Sequence, residues 1–284
     1  MFDFSFIKFR NIPRKTINED DIRAFMEDRA TKRFNMQYFQ QNPINIVNKE
    51  TEVAWLNVPF QETINAILSR QFSCEPYLYL NRNGKYAHCF KTQEELDEFH
   101  AKIAPYKELV FLRDCLDLSI ALSMYDYIQD GEQKNTEFGE AEYQVKYKEK
   151  RKEDIQQLVD KTQYWLDKLP YFKLADCVCC VPTQHPVMSI IVEQLKGFSI
   201  QNISENVFWR NKNDEIKGKP LEEKLALLNS FDLQINCNVQ GKTILLLDDM
   251  YQSGLTMQFV AMKMKQAGAD RVFGITLVKA LSNS

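Results

Sequence analysis

Two neighbouring carboxylates and a group of small residues lie close together near the C-terminus. Asp248 and Asp249 end an apolar run, and Ser253, Gly254 and Thr256 follow shortly after. Carboxylates accept hydrogen bonds well from the two hydroxyls of a vicinal diol. Backbone N–H groups and hydroxyls at a helix N-terminus suit an anion such as phosphate. A diol site beside a phosphate site indicates a ribose 5-phosphate.

One strand–helix–strand unit must position these residues. The sequence predicts a strand over 243–247, a loop over 248–256, a helix over 257–267 and a closing strand over 271–278. The predicted inward stripe of the helix is Met257, Val260, Ala261 and Met264, and the predicted outward lysines are Lys263 and Lys265. Ligands of open α/β sheets bind at the carboxyl ends of parallel strands. The loop is therefore the predicted site.

Other interpretations of the same residues exist. Two acids after a strand are common at turns, and the Ser-Gly-x-Thr sequence alone can simply cap a helix. A nucleotide-binding P-loop is the nearest functional alternative, because Gly241-Lys242-Thr243 matches the end of that motif. A P-loop must follow a strand and open a helix, whereas this triplet precedes a strand and Asn236 stands where the first glycine belongs. Two acids followed at this spacing by Ser-Gly-x-Thr favour the ribose phosphate site.

Short apolar strands alternate with helices from about residue 176 onward. Further strands are predicted over 177–181 and 207–210, and further helices over 187–195 and 221–228. This repetition is typical of an α/β domain with a parallel sheet and right-handed crossovers.

The first 135 residues have an α+β pattern instead. The predicted elements are a helix over 20–33, a hairpin of 77–80 and 86–90 around Asn83-Gly84, a helix from the Thr92–Glu95 capping box to about 103, and a strand over 108–112. The polar segment 129–140 is the predicted linker. We therefore predict two domains, an α+β accessory domain over 1–135 and an α/β domain over 136–284.

A highly charged helix is predicted over 140–169. Its basic residues are Lys146, Lys148, Lys150, Arg151 and Lys152. We interpret them as a solvated face, with a strip that binds phosphate or nucleic acid as the alternative.

Composition limits the class of protein. The chain has 284 residues, 44% of them hydrophobic and 26% charged, with a net charge of -3. These values are typical of a folded globular protein, and no overall basic surplus indicates a nucleic-acid or membrane partner. No apolar run is long enough for a membrane span and no signal peptide is recognised. A cytoplasmic protein without a membrane partner is expected.

The cysteine pattern predicts reduced thiols. Seven cysteines are present, and Cys177, Cys179 and Cys180 crowd into one apolar run, unlike a disulfide framework. The other candidates for a metal site lack the paired spacing of zinc ligands. They are Cys74, Cys89, Cys115, His88 and His100. No zinc site is predicted.

The sequence LLLDDMYQSGLT over 245–256 resembles the phosphoribosyl pyrophosphate (PRPP) loop of type I phosphoribosyltransferases. That loop has an apolar strand, two acids, small residues and then Ser/Thr-Gly-x-Thr. The resemblance extends over about 140–284 and is greatest to the competence-associated, ComF-like branch. Supporting features are Lys146-Tyr147 before the first strand, Val181-Pro182 after it and KGKPLEEKLALLNSF over 217–231. The paired CxxC zinc ribbon of many ComF-like members is missing.

The resemblance implies roles for particular residues. Asp248 and Asp249 would hold the ribose hydroxyls, and Thr183 and Gln184 would lie in the pyrophosphate loop. The 5-phosphate would be wrapped by Tyr251, Gln252, Ser253, Gly254, Leu255 and Thr256. A mobile flap over 211–219 would carry Lys212, Lys217 and Lys219. Mg²⁺ would bind through PRPP near the two aspartates, with no direct protein ligand set. From its place in a loop before a proline we interpret His185 as structural, with an acid or base as the alternative.

Two functions are compatible with these features. The first is a phosphoribosyltransferase, an enzyme that transfers phosphoribose from PRPP to a nitrogenous acceptor in nucleotide metabolism. The second is an effector or sensor that binds PRPP or a nucleotide, as in DNA uptake or phage defence (a retron-type toxin, for example), with little or no transferase activity. The connection after Val181 lacks the arginines typical of the ComF-like branch, which favours the second. A homo-oligomer and a complex with protein or nucleic acid remain open.

Overall fold

A computed structural model describes residues 12–38, 42–68, 78–80, 86–197, 200–212 and 214–282. Contacts divide the chain into two compact units. One unit contains residues 1–28 and 114–284, and the other contains residues 29–113. No helix in the described ranges is long and apolar enough to cross a membrane.

The helices and strands have the following bounds. The strands are β1 (Arg33–Phe34), β2 (Ile44–Lys49), β3 (Glu52–Val58), β4 (Tyr79–Leu80), β5 (Tyr86–Phe90), β6 (Val110–Leu112), β7 (Leu118–Met124), β8 (Asp126–Gln129), β9 (Glu132–Asn135), β10 (Cys177–Cys180), β11 (Gln201–Asn202), β12 (Val207–Trp209), β13 (Leu233–Ile235), β14 (Thr243–Tyr251) and β15 (Arg271–Lys279). The α-helices are α1 (Glu19–Glu27), α2 (Glu62–Leu68), α3 (Gln93–Ile103), α4 (Glu137–Tyr147), α5 (Lys152–Lys168), α6 (Pro170–Lys173), α7 (Val187–Gln194), α8 (Leu221–Ser230) and α9 (Leu255–Gln266). Short 3₁₀ turns lie at Ala104–Tyr106 and Ser204–Asn206.

The larger unit is built on a parallel sheet. Within it the strand order is β7-β15-β14-β10-β11, and every neighbouring pair is parallel. All nine residues of β15 and all seven of β7 are buried, as expected for strands covered on both faces. The predicted α/β class with a parallel sheet is confirmed.

Strand β7 explains why the larger unit resumes at Asp114 and not after residue 135. Its residues pair with β15 along most of their length, from Leu118 beside Phe273 to Met124 beside Lys279. The segment 118–124 therefore belongs to the parallel sheet, although it precedes the predicted boundary. The functional division into 1–135 and 136–284 stays a prediction.

The predicted linker over 129–140 is wrong. Strands β8 and β9 form an antiparallel hairpin. Asp130 and Gly131 make its turn with φ of 54° and 81°, values that fit a primed turn. Helix α4 follows directly, because the Thr136 hydroxyl accepts a hydrogen bond from the Gly139 N–H at 2.9 Å.

Other predicted elements differ in extent. The charged helix over 140–169 is two helices, α4 and α5, with residues 148–151 between them. The strand predicted over 207–210 corresponds to β12, which pairs antiparallel with β13 outside the parallel sheet. The helix predicted over 20–33 ends at Glu27, where Asp28 takes an extended backbone conformation.

The smaller unit contains a four-stranded antiparallel sheet in the order β2-β3-β5-β4. The predicted pairing of 77–80 with 86–90 is confirmed for β4 and β5, while the Asn83-Gly84 turn lies outside the described residues. Helix α3 begins at the predicted capping box, in which Thr92 and Glu95 satisfy each other's backbone N–H. Phe90 of β5 and Phe99 of α3 pack with ring centroids 5.1 Å apart.

Candidate functional site

Strand β14 is longer than predicted and includes both aspartates. It runs to Tyr251, and β15 accompanies it to Lys279. The predicted loop over 248–256 is therefore wrong in extent, because only residues 252–254 connect β14 to α9. Since successive side chains of a strand point to opposite faces, the two carboxylates are separated by the backbone between them.

Asp248 faces a cleft at the carboxyl end of the sheet. The cleft has a volume of about 190 Å³. Its walls are Ile216, Lys217, Lys224, Asp248, Met250, Gln252, Ser253, Gly254, Leu255, Thr256 and Met257. The structure thus brings Asp248 together with five of the six predicted phosphate-loop residues and one predicted flap lysine.

The N-terminus of α9 opens into this cleft. Gly254 precedes the helix with a φ of 77°, a left-handed conformation that favours glycine. A Cβ at this position would overlap the Tyr251 ring. The Ser253 hydroxyl accepts a long hydrogen bond from the Leu255 N–H at 3.4 Å. The first N–H groups of a helix have no partner within the helix and carry partial positive charge, so this wall suits an anion.

Tyr251 lies beneath the loop and is absent from the cleft walls. Its side chain is buried, and its hydroxyl donates a hydrogen bond to Asp114 Oδ2 at 3.1 Å. Asp114 also accepts a hydrogen bond from the Ser119 hydroxyl at 2.7 Å. The Lys279 ammonium donates a hydrogen bond to the Gln252 carbonyl at 3.0 Å. Two buried side chains, Tyr251 and Lys279, therefore pack against the connection or hydrogen-bond to it.

Lysines flank the cleft. Lys217 from the predicted flap lines it, and Lys212 is close enough to Asp248 for their charges to interact. Lys219 instead forms ion pairs with Glu223 at 2.7 Å and Asp214 at 3.6 Å. Lys224 on α8 lines the cleft, although sequence reasoning missed it. The signal available was a lysine in the first turn of the helix that follows the predicted flap.

Thr183 and Gln184 follow β10, the strand next to β14. Cys180 is level with Leu247 in the paired strands, so the two strands end at the same edge of the sheet. Both side chains are exposed and neither lines the cleft. The neighbouring His185 ring packs against Tyr147 of α4 with centroids 5.4 Å apart.

Asp249 faces away from the cleft into a buried cluster. Lys146 Nζ lies 2.7 Å from Asp249 Oδ2 and 3.6 Å from Glu142 Oε1. The side chains of Lys146, Asp249 and Glu142 are only 10%, 8% and 0% exposed. The predicted solvated face is therefore wrong for Lys146, whereas Lys148, Lys150, Arg151 and Lys152 are exposed.

Two carboxylates share one lysine in this cluster, and the pKa values reflect that imbalance. Burial raises the pKa of Glu142 to about 7, with Lys146 opposing the rise and Asp249 adding to it. Burial lowers the pKa of Lys146, but the charges of Asp249 and Glu142 outweigh it, so the pKa is raised. Burial and then the charge of Asp249 raise the pKa of Asp248 well above its usual range.

No group of three or more His, Cys, Asp or Glu side chains among the described residues is placed to hold a metal ion. The described cysteines are free thiols, and Cys177, Cys179 and Cys180 are buried.

Comparison with known proteins finds neither a matching family model nor a matching curated protein. Among solved structures, the chain is similar to a hypoxanthine-guanine phosphoribosyltransferase from Bacillus anthracis, with 13% identity, 45% of this chain and 68% of that chain covered, and a TM-score of 0.31. A hypoxanthine phosphoribosyltransferase from Staphylococcus aureus has 14% identity, coverage of 46% and 67%, and a TM-score of 0.34. A structure described as the allosteric regulatory enzyme of purine biosynthesis has 12% identity, coverage of 70% and 41%, and a TM-score of 0.33.

Proposed function

We propose that the chain binds PRPP in the cleft beside Asp248 and transfers phosphoribose to a nitrogenous acceptor. One observation carries this proposal: the Asp248 carboxylate and the N-terminus of α9 line the same cleft. A carboxylate suits the ribose hydroxyls and a helix N-terminus suits the 5-phosphate. The motif over 245–256 supports a resemblance to type I phosphoribosyltransferases, and the segment over 217–231 supports a resemblance to their ComF-like branch.

The 5-phosphate would bind at the start of α9. The N–H groups of residues 254–256 and the hydroxyls of Ser253 and Thr256 supply donors, while Lys217 and Lys224 supply positive charge. The free cleft of about 190 Å³ is small for a whole PRPP molecule, so the remaining part of the ligand would extend past the cleft walls.

The ribose would lie against Asp248. The Asp248 side chain is half-buried, so it would form hydrogen bonds with the ribose hydroxyls in place of hydrogen bonds with water. Asp249 would contribute only indirectly, since its carboxylate is held by Lys146. In this proposal Asp249 and Lys146 position the end of β14 and do not contact the ligand.

The pyrophosphate would extend towards Thr183 and Gln184 at the end of β10. Mg²⁺ prefers oxygen ligands and keeps much of its own hydration, so pyrophosphate oxygens with the Asp248 carboxylate nearby fit it. When bound, it would neutralise charge on the leaving group. Lys212 and Lys217 would add positive charge as the segment 211–219 closes.

The reaction replaces one bond at the anomeric carbon with another. The bond to pyrophosphate breaks and pyrophosphate leaves with the electron pair, while a nitrogen lone pair of the acceptor forms the new bond. The proton of that nitrogen passes to solvent or to the departing pyrophosphate. The protein contributes position and electrostatic stabilisation.

A second candidate function is a PRPP or nucleotide sensor with little turnover, as an effector in DNA uptake or phage defence would be. Two observations favour it. Asp249 is already occupied by Lys146, and the Thr183-Gln184 connection carries no lysine or arginine. Both would weaken catalysis more than binding.

Ligand binding is tested by thermal unfolding with PRPP and Mg²⁺. At about 100 times Kd a ligand adds about 2.7 kcal/mol of stability, which corresponds to a shift of several °C for a chain of this size. We expect Asp248→Asn to abolish most of the shift and Asp20→Asn, at an exposed position on α1, to leave it unchanged. A wild-type protein that shows no shift, or a shift that survives Asp248→Asn, contradicts the proposed site.

Turnover separates the two candidates. Release of pyrophosphate from PRPP with a panel of nucleobases supports the transferase. Binding with no release across the panel supports the sensor.

A further inference from the structure

We propose that the surface around the turn between α4 and α5 binds single-stranded nucleic acid. This surface, here called the ring surface, consists of Tyr143, Tyr147, His185 and the lysines of 148–152. The inference is independent of the proposed function, because none of these residues lines the cleft.

Three rings form a continuous row on this surface. The ring centroids of Tyr143 and Tyr147 are 5.4 Å apart, and those of Tyr147 and His185 are also 5.4 Å apart. The Tyr147 side chain at the centre of the row is 53% exposed. Contact with two neighbouring rings restricts the orientation of the exposed Tyr147 ring. A base that stacks on Tyr147 therefore meets a largely prearranged partner.

Positive charge lies beside the row. Lys148 Nζ is 5.8 Å from the centroid of the Tyr143 ring, and Lys150 and Lys152 follow as exposed side chains. Arg151 is engaged with Asp154 at 2.7 Å, and Lys146 is engaged with Asp249. Glu149 and Glu153 reduce the local charge, but three lysines stand against these two glutamates over 148–153.

This combination fits a single strand better than other anionic partners. A single strand presents both unstacked base faces for aromatic rings and phosphates for lysines. In a duplex the base faces are already stacked on one another, so the lysines could contact phosphates but the rings could not stack on a base. An acidic peptide would use the lysines but would leave the rings without a matching partner.

Binding is tested by fluorescence anisotropy with a labelled oligo(dT) of about 20 nucleotides and a duplex of the same length. Stacking on one aromatic side chain contributes about 1–3 kcal/mol per base. We expect Tyr147→Ala to weaken binding of the single strand roughly 5- to 150-fold. Tyr147→Phe, which retains the ring, should bind as wild type does. Circular dichroism and thermal unfolding check that each variant folds.

A matched control lies on the neighbouring helix. Tyr164 on α5 is 46% exposed, and Lys168 Nζ lies 5.6 Å from its ring centroid. Tyr164 is outside the ring row. Tyr164→Ala should therefore leave the affinity unchanged. Equal losses for Tyr147→Ala and Tyr164→Ala would overturn the proposal.

Salt dependence tests the lysines. For a single strand, the logarithm of the binding constant falls with the logarithm of salt concentration with a slope of about -0.7 per neutralised phosphate. Replacing Lys148, Lys150 and Lys152 by Gln should reduce the steepness of that slope by about 2. Absent binding, tighter binding of the duplex, or an unchanged slope in the triple variant would each overturn the proposal.

Discussion

The two faces of β14 at its carboxyl end differ in almost every physical respect. On one face, Asp248 lines a partly open cleft with the N-terminus of α9 and two lysines. On the other face, Asp249 is buried against Lys146, and Glu142 completes a sealed cluster. Adjacent acids in a sequence are therefore not a pair of equivalent ligands. The alternation of side chains along the strand directs Asp248 to the cleft and Asp249 to the interior.

The balance of charge is also opposite on the two faces. The cleft walls carry one carboxylate, that of Asp248, together with Lys217 and Lys224, and the charge of Lys212 also interacts with Asp248. The sealed face places two carboxylates on one lysine. An excess of positive charge in an open cleft is suited to an anionic ligand, whereas an excess of buried negative charge is relieved by protonation. We therefore expect substitutions on the cleft face to change ligand binding, and substitutions on the sealed face to change how stability depends on pH.

The largest effect is expected from Lys146→Met, which breaks the sealed face. Two buried carboxylates would lose their only described cationic partner, and breaking a buried ion pair in this way costs about 3–5 kcal/mol of unfolding free energy. Chemical denaturation measures the loss. Lys148→Met is the control, because Lys148 is exposed two residues further along and should change stability by less than about 0.5 kcal/mol. Similar losses in both variants would contradict the buried pair.

Glu142→Gln tests the charge imbalance through pH. The pKa of Glu142 is raised from 4.5 to about 7, so between these values the folded state holds a proton that the unfolded state has lost. Stability due to this group is present below pH 4.5 and is lost as pH rises to about 7. Since Gln imitates the protonated acid, the variant should match wild type at pH 4.5 and exceed it by about 3 kcal/mol at pH 8.

The pKa of Glu140, on the same helix, is shifted in the opposite direction. Hydrogen bonds from Gln144 and Asn135 lower the pKa of this exposed carboxyl. Its contribution to stability is therefore present above its ordinary pKa and lost as pH falls. Glu140→Gln should show no gain at pH 8, measured by urea denaturation across the same pH range. A gain at pH 8 for Glu140→Gln, or none for Glu142→Gln, would reverse the assignment.

The strand–helix–strand unit at the C-terminus could be predicted because its signals are local. The apolar run over 244–247 fixes a buried strand, the helical stripe fixes α9, and Gly268 ends that helix with a φ of 98°. The capping box at Thr92 and Glu95 is similarly local, and helix α3 begins there. These features need no knowledge of the rest of the chain.

The end of β14 and the environment of Lys146 could not be predicted, because both depend on distant partners. Asp248 and Asp249 read as loop residues, yet β15 continues alongside them and extends the ladder to Tyr251. Lys146 lies in a basic run that periodicity alone cannot distinguish from a solvated face, and its burial follows from contact with Asp249. Lys265 likewise was expected to face outward but forms an ion pair with Asp117 at 2.8 Å. Tertiary contacts override the local pattern at each position.

The smallest expected effect is the difference in stability loss between alanine substitutions of two glycines at opposite ends of β14. Gly241 precedes the strand and Gly254 follows it, with similar left-handed φ values of 70° and 77°. Alanine pays a similar backbone penalty of about 1–2 kcal/mol at both positions. A Cβ at Gly241 would meet no atom within 4 Å, whereas one at Gly254 would overlap the Tyr251 ring. The hydrogen bond from the Tyr251 hydroxyl to Asp114 holds that ring in place. Gly254→Ala should therefore lose about 1–2 kcal/mol more than Gly241→Ala in chemical denaturation, and equal losses would mean that Tyr251 does not brace the cleft.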